Sequence, residues 1–197
     1  MEGRAQVAAV LLWLLLRPSP AHAQAVATFL AGAATGLAAH EGGHLVFGLA
    51  LDARPELKSI HFGPFPFFAI SHRSDLSPRG EFAVSAAGFW MQQGTSEWLL
   101  TRRPALRGEH APFMKGLLAF NVLNSVGYSA VAMAKAGPFE RDTRAIGDAL
   151  NIDERWVGAI VLAPAVLDSY RYFFPDRRWA VWSSRALKAG MVLLVLK

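Results

Sequence analysis

His40-Glu41-Gly42-Gly43-His44 reads H-E-x-x-H. On a helix, positions i and i+4 share one face, so both imidazoles can reach a single Zn²⁺. The intervening Glu41 then sits where a general base is needed, taking the proton of a water acidified by the metal and handing it to a leaving amine. The chain contains no cysteine, so any further ligand must be a histidine or a carboxylate. The same absence removes disulfides, thiolate nucleophiles and iron–sulfur clusters. Glu41 is the only formal charge between Arg17 and Asp52, and two histidines and an acid in so apolar a run are costly unless coordinated or paired.

The element carrying this motif is the segment Ala25 to Leu51, rich in Ala, Gly, Leu and Phe. Its length exceeds the roughly 20 residues needed to cross a bilayer, and its small residues allow close helix packing in lipid. Lys58 to Phe62 and Phe65 to His72 flank Gly63-Pro64, which reads as a short β-hairpin at the membrane surface, with Pro66 confining its second strand to an edge. Two further apolar runs, Phe82 to Leu100 and Gly116 to Ala134, read as spanning helices. Trp156 to Leu167 reads as an interfacial or re-entrant piece ending at Asp168 to Tyr172. Trp179 to Leu196 reads as a last helix, made doubtful as a full span by Arg185 and Lys188. The expected fold is therefore an all-α multi-pass membrane protein: three to five transmembrane or re-entrant helices with a small β-hairpin after the first.

Whole-chain properties agree with one membrane domain. The 197 residues are 53% hydrophobic and 18% charged, against about 45–50% and about 25% in ordinary soluble domains. The net charge of +5 is scattered between apolar runs rather than gathered into a stripe, which favours lipid-facing loops over nucleic acid. Residues 1–23 read as a signal peptide, with Arg4, the apolar stretch Val7 to Leu16 and an Ala21-His22-Ala23 cleavage site, or as an uncleaved anchor. Residues 24–197 then form a single integral membrane domain. The basic loops are consistent with insertion into a bacterial cytoplasmic membrane, eight cations inside against five outside.

On these residues the chain resembles the site-2 protease type of intramembrane zinc metallopeptidase, the M50-like group. In that family H-E-x-x-H lies in a transmembrane helix, a β-hairpin follows, and an Asp in a later motif, N-x-x-P-x-x-x-x-D-G, supplies the third ligand. The order is similar over residues 24–150: the H-E-x-x-H, the Gly63-Pro64 hairpin, Ala86-Ala87-Gly88, then Asn121 and Asn124 before Gly137-Pro138-Phe139. The later motif itself is absent. The resemblance implies Asp142, at the start of a helical segment, as third ligand. Asp148 is the alternative, and His61 and His72 stay open; without a metal, Asp142 would suit an N-cap. It implies Glu41 as the catalytic residue, His40 and His44 as zinc ligands, and a membrane-protein substrate. Residues 151–197 lie beyond it as C-terminal helices.

Asn121 and Asn124, three apart on one helical face, are candidates for holding a substrate backbone or an oxyanion, or else for interhelical hydrogen bonding. Gln92 and Gln93 allow the same two readings. The tryptophans fall near the ends of apolar runs, as interfacial anchors do. Without a G-x-G-x-x-G in a strand–helix context, a Walker loop or a G-x-S-x-G, neither nucleotide binding nor serine hydrolysis has support, and no nucleic-acid partner is expected. The expected activity is zinc-dependent hydrolysis of peptide bonds in membrane-embedded substrates. The alternative is a non-catalytic pseudoprotease or helix-binding membrane protein that retains the metal motif.

Overall fold

Ser19 and Pro20 start the first helix together: proline occupies the first turn, where no amide hydrogen is needed, and the Ser19 hydroxyl accepts the His22 N–H. The computed structural model describes residues 19–62, 65–72 and 75–194. Among these are six α-helices and one two-stranded sheet, in the order α1 (Pro20–Ala50), β1 (Glu56–Phe62), β2 (Phe65–Ser71), α2 (Pro78–Arg102), α3 (Pro112–Ala134), α4 (Asp142–Leu150), α5 (Glu154–Phe173) and α6 (Arg178–Leu193). The signal or anchor expected over residues 1–23 falls outside the described residues up to position 18, as does the Gly63-Pro64 turn. The hairpin itself is formed, antiparallel, with Glu56 opposite Ser71 and His61 opposite Pro66.

Two glycines let α1 and α3 cross closely. A Cβ on Gly32 would lie 2.0 Å from the Phe113 carbonyl oxygen, and one on Gly116 would lie 1.9 Å from that of Phe29. Each helix thus needs a bare backbone where the other passes. On the other side of the molecule, Phe82 and Phe89 of α2, Ile146 of α4, Val157 and Val161 of α5 and Met191 of α6 form one buried cluster. That cluster seats α4, the short helix that begins with Asp142. Lys135 and Asn151, both at positive φ (50° and 54°), end α3 and α4 and turn the chain back.

Two expectations need correction. Trp156 to Leu167 is not a short interfacial piece: α5 runs unbroken for 20 residues with Pro164 inside it. The charges taken for its end, Asp168 and Arg171, are 3% exposed and turn inward. Three firm spans are not seen either. One helix among the described residues, α3, is long and apolar enough to cross a membrane, at mean hydropathy 1.4. Polar residues dilute α1 (His40, Glu41 and His44) and α2 (Gln92, Gln93 and Glu97), and α4 and α6, of 9 and 16 residues, are too short to cross.

Candidate metal centre

His40 and His44 emerge one turn apart from α1 and face α2, where Gly88 makes room for them. A Cβ on Gly88 would sit 2.5 Å from His40 Cε1 and 2.5 Å from His44 Nε2, so any other residue there would occupy the imidazoles' space. Gly43 plays a related part on α1, since a Cβ there would meet the Ala87 carbonyl oxygen at 2.7 Å. Behind the rings, His44 Nδ1 lies 2.8 Å from the Val84 carbonyl oxygen and His40 Nδ1 lies 2.9 Å from Gln92 Oε1. Both acceptors require a hydrogen on Nδ1, which leaves each Nε2 with its lone pair directed forward.

Asp142 enters from the first turn of α4. Its Oδ2 is 3.4 Å from His40 Nε2 and 3.5 Å from His44 Nε2, and the two Nε2 atoms are 3.2 Å apart. Three acceptor atoms therefore converge, and Asp142 Oδ2 is buried with no hydrogen-bond partner. Such a triangle needs a shared proton or a cation within it. Bonds of 2.0–2.1 Å at a tetrahedral angle place neighbouring ligand atoms about 3.3–3.4 Å apart, which matches the observed edges. These three side chains could hold a metal ion.

The position of Asp142 depends on a clamp that sequence inspection missed. Arg141 donates to both carboxylate oxygens of Glu154 at 2.7 and 2.6 Å and to the Pro138 carbonyl at 2.8 Å, while the buried Thr143 hydroxyl donates to Glu154 at 2.7 Å. Residues on both sides of Asp142 are thus tied to the start of α5. Burial alone would raise the Glu154 pKa, but the hydrogen bonds from Arg141 and Thr143 outweigh it and hold the carboxyl below its ordinary range. At Asp142 burial likewise opposes ionisation, and His44 and His40 beside it overcome that and keep it a carboxylate.

Glu41 lies between the two ligands and faces a cavity of about 790 Å³ that also exposes His44 and Asp142. Its Oε2 accepts the backbone N–H of Ile70 at 3.0 Å. In an antiparallel pair each residue turns its N–H to one side, so this bond shows that the outer edge of β2, away from β1, is turned toward the site. His72, just past β2, bonds Glu81 at 3.0 Å and pins the hairpin to the start of α2.

The other predicted residues separate cleanly. Asp148 is 76% exposed, pairs with Arg144 at 3.7 Å and does not reach the histidines. His61 is exposed, and His72 belongs to the Glu81 contact. Asn121 is buried between α2 and α3, its amide donating to the Gln92 carbonyl, Thr95 and Ser96 at 2.9–3.1 Å, and it does not line the cavity. Asn124 does line it, and donates to Gln92 Oε1 at 3.3 Å, which places it behind His40. Tyr128, unremarked in the sequence, packs against Phe89 and His40 with ring centroids 5.0 and 5.8 Å apart and also faces the cavity. Comparison with protein-family models, curated proteins and solved structures finds no match to this chain.

Proposed function

We propose that this chain is a zinc-dependent intramembrane endopeptidase of the site-2 protease type. The observation that carries the reading is the His40–His44–Asp142 triangle with Glu41 beside it, open to a cavity bordered by a strand edge. His40, His44 and Asp142 would hold Zn²⁺, which when bound supplies Lewis acidity to a water and to the scissile carbonyl. Glu41 accepts the water's proton and returns it to the leaving amine. An extended substrate adds to the outer edge of β2, since a helical peptide bond is already hydrogen-bonded and sterically hidden. Strand addition there competes with the Ile70–Glu41 hydrogen bond, so docking frees the base.

A membrane setting is part of the same reading, with α3 crossing. Large apolar side chains stand exposed on helix faces, among them Val46 and Leu49 of α1, Val166 of α5 and Leu193 of α6. The polar residues that dilute α2 point inward: Gln92 to His40, Gln93 to Met191, Glu97 to Arg171. Lipid would not meet them. The alternative, a pseudoprotease that binds helices, draws on the engagement of Glu41 by Ile70.

The test is zinc content and cleavage of a membrane-anchored reporter by the purified, detergent-solubilised protein. Wild type and Asp148→Ala are expected to carry one zinc per chain, and His44→Ala and Asp142→Ala none. Glu41→Gln is expected to keep zinc and lose about 10²–10⁴ in rate. No zinc in the wild type after supplementation would overturn the metal centre. Zinc with full activity in Glu41→Gln would overturn the catalytic assignment.

A further inference from the structure

One wall of the cavity is a face of α3, where Leu123, Asn124, Gly127, Tyr128 and Val131 follow one another at helical spacing. Every position on this face carries a side chain except Gly127. The glycines at helix crossings, such as Gly32, Gly88 and Gly116, are crowded, with a Cβ there colliding at 2.5 Å or less. A Cβ on Gly127 meets nothing within 4 Å. Packing therefore does not require glycine at this position, and glycine in a helix interior is less favourable than alanine. What Gly127 provides is space, in a wall whose next residue, Tyr128, rests on a zinc-binding histidine.

Resting on the function proposed above, we infer that Gly127 forms the floor of a specificity notch. It admits a large apolar side chain from the substrate residue next to the scissile bond. Its rims one turn away on either side are Leu123 and Val131, which offer apolar contact, with Asn124 and Tyr128 beside it on the same face. The hairpin edge holds the substrate extended from the other wall, which directs alternate side chains across the cavity toward α3. The substrate class is then an unwound membrane segment with a residue such as leucine or phenylalanine beside the cleaved bond, in preference to alanine or glycine.

Filling the notch tests this, because a Cβ at Gly127 enters open space. Gly127→Ala and Gly127→Leu should retain the zinc content and thermal stability of the wild type. The full-length, zinc-loaded protein is then titrated with two peptide hydroxamates that differ only in a benzyl or a methyl group beside the zinc-binding end. The wild type is expected to favour the benzyl compound at least about tenfold, Gly127→Ala to narrow the ratio, and Gly127→Leu to reverse it. An unchanged ratio in Gly127→Leu, with hydroxamate still bound, would overturn the notch and leave the metal centre standing. Failure of the zinc-loaded wild type to bind either compound would overturn both.

Discussion

Two buried polar clusters hang on α2, and they are built to opposite ends. Near its first half, His40, His44 and Asp142 bring two imidazole nitrogens and a carboxylate oxygen within 3.5 Å of one another beside a cavity. Further along, Glu97, Asp168, Arg171, Ser184 and Lys188 meet between α2, α5 and α6 with donors matched to acceptors: Arg171 reaches Glu97 at 3.1 Å, Asp168 at 3.3 Å and Ser184 at 3.2 Å, and Lys188 reaches Glu97 and Asp168 at 3.0 and 2.8 Å. The second cluster is satisfied internally and asks for no ligand. The first can be completed by a shared proton or by a metal ion, which is the physical difference between a lock and a candidate site.

Breaking the lock should produce the largest change in stability. Arg171→Met removes the central cation and leaves two acids sharing fewer partners, a loss of about 3–5 kcal/mol readable in denaturant or thermal unfolding of the solubilised protein. Zinc affinity should move little, because Glu97 lies about 13 Å along the helix from Gly88 at 1.5 Å per residue. A large fall in zinc affinity would show the clusters to be one unit.

The metal centre should behave in the reverse manner. At a hundredfold excess over its dissociation constant, zinc is expected to stabilise the folded state by about 2.7 kcal/mol, or roughly 5–10 °C for a domain of this size. His40→Ala should abolish that increment, whereas Arg171→Met should keep it on a lower baseline. Equal melting temperatures with and without zinc in the wild type would contradict the reading of the triangle.

A smaller effect should come from the clamp that holds Asp142. Glu154→Gln is expected to weaken zinc binding about 10–100-fold, as losses behind a metal ligand do, measured by competition with a chelator. The clamp also has a pH signature. Because the folded-state pKa of Glu154 lies below its ordinary 4.5, the unfolded chain binds the proton more readily. Its stabilisation is therefore fully present above about pH 4.5 and is lost as pH falls through the lower folded value. Glu154→Gln should flatten that acid limb, and an unaltered acid limb would remove Glu154 from the account.

The sequence made some of this legible and not the rest, for physical reasons. H-E-x-x-H is visible because its geometry is local, and the hairpin because two apolar strands flank a turn. Asp142 could be chosen only by resemblance, since nothing along the chain links it to residues a hundred positions earlier. The Val84 carbonyl has no side-chain signature at all, and Gly88 acts through an atom it lacks. Asp168 and Arg171 read as interfacial because charge in an apolar run usually marks a membrane edge, whereas they turn inward with Arg185 and Lys188 onto Glu97 and one another. Their partner Glu97 stands 74 to 91 residues away from Arg171 and Lys188, beyond any periodic pattern.

Asn121 gives the finest test of where the site ends. Its spacing with Asn124 placed both on one candidate substrate-binding face, yet its amide is spent on Gln92, Thr95 and Ser96. Asn121→Ala should therefore cost only about 0.5–1.5 kcal/mol of stability, the net contribution of a typical hydrogen bond, and leave KM and kcat for the reporter unaltered. Asn124→Ala acts through Gln92 on His40 and should instead weaken zinc. A raised KM in Asn121→Ala at unchanged stability would extend the substrate site past the cavity wall and into the α2–α3 interface.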